Sequence, residues 1–161
     1  MTFPQTLTRI RTEATILRSP DDVFPYVTTP ANWPVWHPSS VQVTGAADHP
    51  LDVGEACVEE YVVAGRRGVV TWTVRERVAG RRWVIDATPP GGGYARITYT
   101  LSAVGDETLF VRELEYEMPN PWLGLLDRLV IRRRITAESK EAVRRLESVL
   151  ETQHDSITTP S

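Results

Sequence analysis

Two segments at the ends of the chain frame everything between them. Thr6–Leu17 alternates polar and apolar residues in strand fashion and runs into Ser19-Pro20-Asp21-Asp22-Val23-Phe24, while from Pro121 to about Glu151 apolar residues recur at helical spacing. From Val41 to Met118 the period is two, with turn signals roughly every ten residues, which predicts an antiparallel meander. The predicted strands are Val41–Gly45, Glu55–Ala64, Val69–Val78, Arg82–Thr88, Tyr94–Val104 and Thr108–Met118. Gly65-Arg66-Arg67-Gly68, Ala79-Gly80 and Gly105-Asp106 supply hairpin turns. Pro89-Pro90-Gly91-Gly92-Gly93 is too long for a tight hairpin and reads as a mobile lip.

Alternation sorts the strand side chains into two faces. Val70, Trp72, Val74 and Val78 share one face, as do Trp83, Ile85 and Ala87, then Ala95, Ile97, Tyr99 and Leu101, then Phe110, Leu114, Tyr116 and Met118. Arg112 falls in register with this last set, so a guanidinium is expected on an otherwise apolar face.

Helix signals are few but well formed. Ser19 stands at an N-cap position, with Pro20 where its missing N–H costs nothing and Asp21 and Asp22 placed to favour the helix start. Pro25 removes an i to i−4 bond, so this helix should be short or distorted. The proline spacing in Pro30–Trp36 allows a second short helix and nothing longer.

The last helix opens with Asn120 as cap and Pro121 at its first position. Its apolar residues at 122, 125, 126 and 129 form one stripe and those at 131, 135, 142, 146 and 149 another, displaced by on the order of a quarter turn. The helix therefore bends near Arg132 or serves two surfaces. A straight helix of ~30 residues would reach about 45 Å, enough to cross a whole sheet. One helix must then cover one curved sheet, and space left unfilled between them becomes a pocket for a small apolar molecule.

Composition narrows the class of protein. The 161 residues are 41% hydrophobic and 24% charged, consistent with one globular domain over 1–151, followed by a polar tail, 152–161, that has little to bury and is expected to be disordered. A net charge of −3 argues against non-specific attraction to nucleic acid or anionic membrane. Spreading Arg132-Arg133-Arg134 round a helix makes most of that cluster a solvated face. Cys57 is the lone cysteine and reads as a buried small apolar residue, and the start of the chain shows no signal pattern, so a cytoplasmic location is expected. No apolar run approaches the roughly 20 residues that span a bilayer.

The order strand, Ser19-Pro20-Asp21-Asp22-Val23-Phe24, Asn32-Trp33-Pro34-Val35-Trp36, Val53-Gly54-Glu55, six strands and a long terminal helix resembles the SRPBCC (START-like, birch-pollen-allergen-like) superfamily in its polyketide cyclase/dehydrase branch. The resemblance covers nearly all of residues 6–150. It implies an α+β helix-grip fold: a seven-stranded antiparallel sheet wrapped around a long C-terminal helix, with two short helices after the first strand closing one end of an apolar cavity. Members bind lipids, quinones, steroids or polyketides, and some cyclise, dehydrate or hydrolyse them. Pro25 departs from the family's usual continuous first helix.

Two residues carry the candidate chemistry. His37 follows Trp36 and could act as general acid or base, or be a solvated or capping histidine beside Pro38. Arg112 could stabilise an enolate or bind a carboxylate, ketone or phenolate oxygen, or be ion-paired with an inward acidic residue such as Glu60 or Glu76. Tyr61, Tyr99 and Tyr116 could donate hydroxyls to a ligand, and Trp33, Trp36, Trp72, Trp83, Phe110 and Leu129 could supply apolar contact, although core packing accounts for most of these. The same holds for Trp122.

Other chemistries find no support. His37, His49 and His154 lie far apart, so no metal site is expected, and neither a G-x-S-x-G turn nor a phosphate loop nor any other cofactor motif occurs. The expected partner is a small hydrophobic molecule, with no nucleic acid and no integral membrane association; a homodimer is left open. A binding module demands less of these residues than an enzyme, and a cyclase or dehydratase is the alternative. A third reading makes Trp122 and Leu123 an exposed contact for an assembly partner.

Overall fold

The computed structural model describes residues 7–89, 92–117 and 123–157, except for the side chains of 123–128 and 154–157. The chain runs β1 (Thr8–Ile16), α1 (Pro20–Thr28), a 3-10 turn (Pro30–Asn32), α2 (Trp33–Trp36), β2 (Ser40–Gly45), β3 (Ala56–Val63), β4 (Arg66–Val78), β5 (Arg82–Ala87), β6 (Tyr94–Val104), β7 (Glu107–Glu117) and α3 (Leu123–Ile157). The strands form one antiparallel sheet in the order β1-β7-β6-β5-β4-β3-β2, and the long C-terminal helix packs on it as the helix-grip expectation requires. Met118, the Asn120-Pro121 cap, the Trp122–Leu123 contact, and the side chains at 125, 126 and 154 lie outside what the structure describes.

Local chemistry explains where the elements differ from expectation. The β3–β4 turn is Ala64-Gly65 alone, because Val63 pairs directly with Arg66. Both loop residues have positive φ, 51° and 75°, the geometry that matches a two-residue loop to strand twist. Arg66 and Arg67 thus belong to β4 and not to a turn. In β4, Val74 opposes Ile85 while Glu76 opposes Val84, so Arg75 is an extra, bulged residue. Beyond the bulge the faces exchange, which explains why Val78, expected on the inner face, is 43% exposed.

Helix α1 is short but unbroken by Pro25. The proline forfeits only one bond to the first turn, and the far end is supported by Thr28 Oγ1 donating to the Phe24 carbonyl (2.8 Å) and Thr29 Oγ1 to that of Pro25 (2.7 Å). Ser19 occupies the N-cap position with extended backbone, yet its side chain makes no capping bond. Trp33 Nε1 donates to the Val27 carbonyl and Asn32 Nδ2 to that of Tyr26, which ties α2 to α1.

Rows of cross-strand neighbours build the concave face. One row runs Trp83, Tyr99, Arg112, Thr12, and the next Ile85, Ile97, Leu114, Ile10. Trp83 stacks on Tyr99 at 5.4 Å between ring centroids, with Trp33, Trp36 and Phe110 packed around the pair at 5.2–6.2 Å.

Of the two stripes on α3, residues of the second face inward, whereas Leu129, the one member of the first whose side chain is described, is exposed. Ala142, Val143, Leu146 and Leu150 are buried in the core, and the helix packs against β1 and α2. Ile131, Ile135 and Ser139, each one turn apart, face the space between helix and sheet. The helix continues through Ile157, past the Glu151 at which its pattern fades.

Candidate functional site

Between sheet and helix lies a cavity of about 590 Å³. Trp33, Trp36, His37, Trp72, Tyr99, Arg112 and Tyr116 line it, so α2, β4, β6 and β7 bring most of the residues singled out from sequence to one place. Arg66, Arg67 and the exposed Val130 stand at its rim, and Pro89 and Gly92 of the β5–β6 loop also border it, while Pro90 and Gly91 lie outside the described residues.

Three expected contacts are placed elsewhere. Trp83 and Phe110 are completely buried in the core and do not line the cavity. The Trp83 ring is held in the core, where its Nε1 donates to the Leu51 carbonyl at 3.1 Å. Leu129 is 66% exposed because it sits two residues, or about 200° of helical rotation, from the cavity-facing Ile131.

Arg112 is 4% exposed on the concave face of β7. Its Nη1 donates to Ser139 Oγ at 3.1 Å, whereas its Nε has no partner. Glu60 and Glu76, the carboxylates expected to neutralise it, lie on the outer side of the sheet, paired at 3.0 Å with Arg67 and Arg82. Among the described residues Arg112 makes no ion pair. A buried guanidinium without a carboxylate in contact is costly, and an oxygen-bearing ligand would offset that cost.

His37 has a defined tautomer. Its Nδ1 accepts the Ser39 backbone N–H at 3.3 Å and lies 2.7 Å from Ser39 Oγ. A backbone N–H can only donate, so the imidazole proton belongs on Nε2, which is buried without a partner. Burial first, then the positive charges of Arg112 and Arg145, hold its pKa well below 6.5. His37 is therefore a neutral donor through Nε2 and a poor base. Because the unfolded chain takes up this proton below pH 6.5 and the fold resists it, the stability His37 contributes is present above 6.5 and lost as pH falls below it. Urea melts of wild type and His37→Gln at several pH values should show the wild type losing more stability on acidification, by at most about 1.4 kcal/mol per pH unit. Parallel losses would contradict this assignment.

The tyrosine hydroxyls are donors. Burial pushes the Tyr99 hydroxyl up to about 12 despite the adjacent Arg112, and it also raises that of Tyr116. Cys57, likewise buried, is raised to about 12 and is inert as a nucleophile.

Sequence reasoning missed Glu59, Glu138 and Ser139. Glu59 lines the cavity from β3, where its Oε2 accepts Trp72 Nε1–H at 2.7 Å. Burial raises its pKa, opposed by the Trp72 hydrogen bond, the Ser40 hydroxyl and the Arg112 charge. A usable signal existed. In an antiparallel hairpin with an even-length loop, partners have opposite parity, so inward Val70 and Trp72 require inward Glu59 and Cys57.

Gly68 sets the position of Tyr61, another residue of the cavity wall. A Cβ on Gly68 would stand 2.5 Å from Tyr61 Cζ and Oη, so the ring lies directly over the bare backbone of its cross-strand partner. Gly68→Ala is expected to push the ring aside at a cost of about 1–3 kcal/mol. A crystal structure of the variant would check this, and an unmoved ring would contradict it.

No group of three potential metal-ligating residues occurs among the described residues, and no described helix is long and apolar enough to cross a membrane. No curated protein matches the chain in sequence. Solved structures that share the fold include the Zhui aromatase/cyclase from Streptomyces sp. R1128 (14% identity, 96% of this chain and 100% of that one, TM-score 0.78). A protein of Thermus thermophilus is similar too (16% identity, 91% and 99%, TM-score 0.73), as is DynU16 of the dynemicin biosynthetic locus (16% identity, 90% and 48%, TM-score 0.63). A family model described as polyketide cyclase / dehydrase and lipid transport matches residues 8–151, and with helix, sheet and cavity arranged as above the chain belongs to that family.

Proposed function

We propose that the protein binds a small hydrophobic molecule, aromatic, polyketide-like or lipid-like, in the cavity between sheet and α3, with a ligand oxygen held by Arg112. The observation that carries this reading is a buried guanidinium on the cavity wall with no carboxylate in contact. A volume of about 590 Å³ lies within the usual range for small-molecule sites, roughly 300–1,000 Å³. Trp36, Trp72, Tyr99 and Tyr116 provide the apolar and aromatic contact, and Tyr99 and His37 add neutral donors. Quenching of tryptophan fluorescence tests this, because Trp36 and Trp72 border the site. Titration with 2-acetyl-6-methoxynaphthalene, a flat apolar probe with one ketone, should give saturable binding that Arg112→Met weakens. Binding untouched by Arg112→Met would refute it.

A cyclase or dehydratase is the second reading, favoured by the number of polar groups around the cavity, where a carrier needs only one anchor. Arg112 would polarise a carbonyl and His37 Nε2 would donate to the same developing oxyanion. An Arg112→Ala variant that abolishes turnover of a poly-β-ketone substrate while still binding it would select the enzyme. Binding of that substrate by the wild type with no turnover would select the carrier.

A further inference from the structure

Glu59 and Arg112 stand on strands that are far apart in the sheet, with β6, β5 and β4 between β7 and β3. In a flat sheet four strand spacings would separate them by roughly 19 Å. Curling of the sheet around the cavity brings them close enough that the Arg112 charge acts on the Glu59 carboxyl, and both groups line the same space. The two groups differ in kind. Arg112, Ser139 bound to it and Tyr99 can all offer hydrogens, whereas a carboxylate only accepts. Trp72 Nε1 fixes Oε2 of Glu59 and so aims the carboxyl, whose two oxygens together keep acceptor capacity for a ligand.

We infer that Glu59 makes the cavity selective for ligands that carry a hydrogen-bond donor, a hydroxyl or enol, in addition to the oxygen held by Arg112. This rests on the proposed binding role and names the ligand class: a rigid, apolar molecule with a carbonyl or related oxygen for Arg112 and a separate hydroxyl for Glu59. A purely hydrocarbon or singly oxygenated molecule would leave the carboxyl's remaining acceptor sites without a partner inside a largely apolar wall. Sites built around a buried polar group discriminate strongly against analogues lacking its partner. Burial also raises the Glu59 carboxyl, so below its folded pKa it can donate to a ligand oxygen instead, and selectivity should be read at pH 8.

Two naphthalenes separate these possibilities. 6-Acetyl-2-naphthol has a ketone at one end and a hydroxyl at the other; 2-acetyl-6-methoxynaphthalene keeps the ketone and shape but cannot donate. Wild type should bind the naphthol roughly ten- to a hundred-fold more tightly than the ether, as expected for a hydrogen bond to a charged group. Glu59→Leu should erase the preference, and Glu59→Gln, which keeps an acceptor oxygen and a hydrogen-bond partner for Trp72, should retain a preference of a few-fold. Arg112→Met should weaken both probes alike and leave the preference in place. Equal binding of the two probes by wild type, binding of neither, or a preference that survives Glu59→Leu would each overturn the inference. An Arg112→Met variant that binds both probes as tightly as wild type, with the naphthol still preferred, would refute the binding role of Arg112 and leave that of Glu59 standing. Thermal melts of each variant confirm that the folded protein is being compared.

Discussion

Arg112→Met should weaken binding of a ketone-bearing naphthalene by about ten- to a hundred-fold, the value of a charge-assisted hydrogen bond in a water-poor site. The same change should leave the folding stability equal to wild type or higher. The reason lies in what surrounds the guanidinium: neutral hydroxyls of Ser139 and Tyr99, an Nε without a partner, and no ion pair among the described residues. Replacing a poorly compensated buried charge by an apolar side chain of similar length is commonly neutral or stabilising, by about 1–4 kcal/mol. Losing Arg112 also withdraws the positive charge that favours the ionised form of Glu59, which moderates the gain. Titration and urea denaturation of the same variant check both halves. Binding lost together with stability would make Arg112 a structural residue and remove the argument for a ligand. Arg112→Lys should not restore affinity, because an ammonium lacks the planar fork that reaches Ser139 and a ligand oxygen together.

Trp83→Ala is expected to cost about 3–5 kcal/mol, among the largest losses available to a single substitution in this fold. Trp83 is completely buried, stacks on Tyr99 and packs edge-on against Trp33, so no neighbour can collapse into the void without disturbing the concave wall. Removal of its Nε1–H also leaves the Leu51 carbonyl without its donor, and Leu51 anchors the β2–β3 connection to α1 through its own N–H bond to Thr28. Trp83→Phe isolates this second part: it keeps most of the ring packing, loses the hydrogen bond, and should cost about 1–3 kcal/mol. Thermal or urea unfolding measures both. A loss below about 1 kcal/mol for Trp83→Ala would mean that this ring is not a central packing element of the sheet.

How much of this was legible from sequence depended on whether local pattern or strand pairing decided the question. Period-two alternation in β5, β6 and β7 placed Ile85, Tyr99, Leu101 and Phe110 inward, and in the same way it placed Arg112, because in those strands one apolar face is continuous. The same rule failed at Val78, because a bulge at Arg75 exchanges the faces and a bulge leaves no mark in a hydropathy pattern. It gave no answer in β3, where Val58-Glu59-Glu60-Tyr61 offers a carboxylate to either face, and only pairing with β4 decides between them.

The cavity was harder still. That Trp83 and Phe110 fill the core while Trp36 and Trp72 border empty space is set by how far the sheet curls and where α3 crosses it, neither of which is written in the alternation of any strand. Leu129 illustrates the same limit in a helix. Its stripe was visible, but which stripe faces the sheet follows from the docking of Ala142, Leu146 and Leu150 far downstream. His37 was recognisable as chemically useful, yet its role as donor and not base comes from the Ser39 N–H that occupies its Nδ1.

Whether the cavity holds a ligand oxygen on Arg112 is decided by a crystal structure of the protein soaked with 6-acetyl-2-naphthol. The naphthalene should lie inside the cavity against Trp36 and Trp72, its ketone oxygen within about 3 Å of the Arg112 guanidinium. A probe bound only on the outer surface, or a cavity closed by collapse of α3 onto Arg112 with the guanidinium drawn out to solvent, would contradict it.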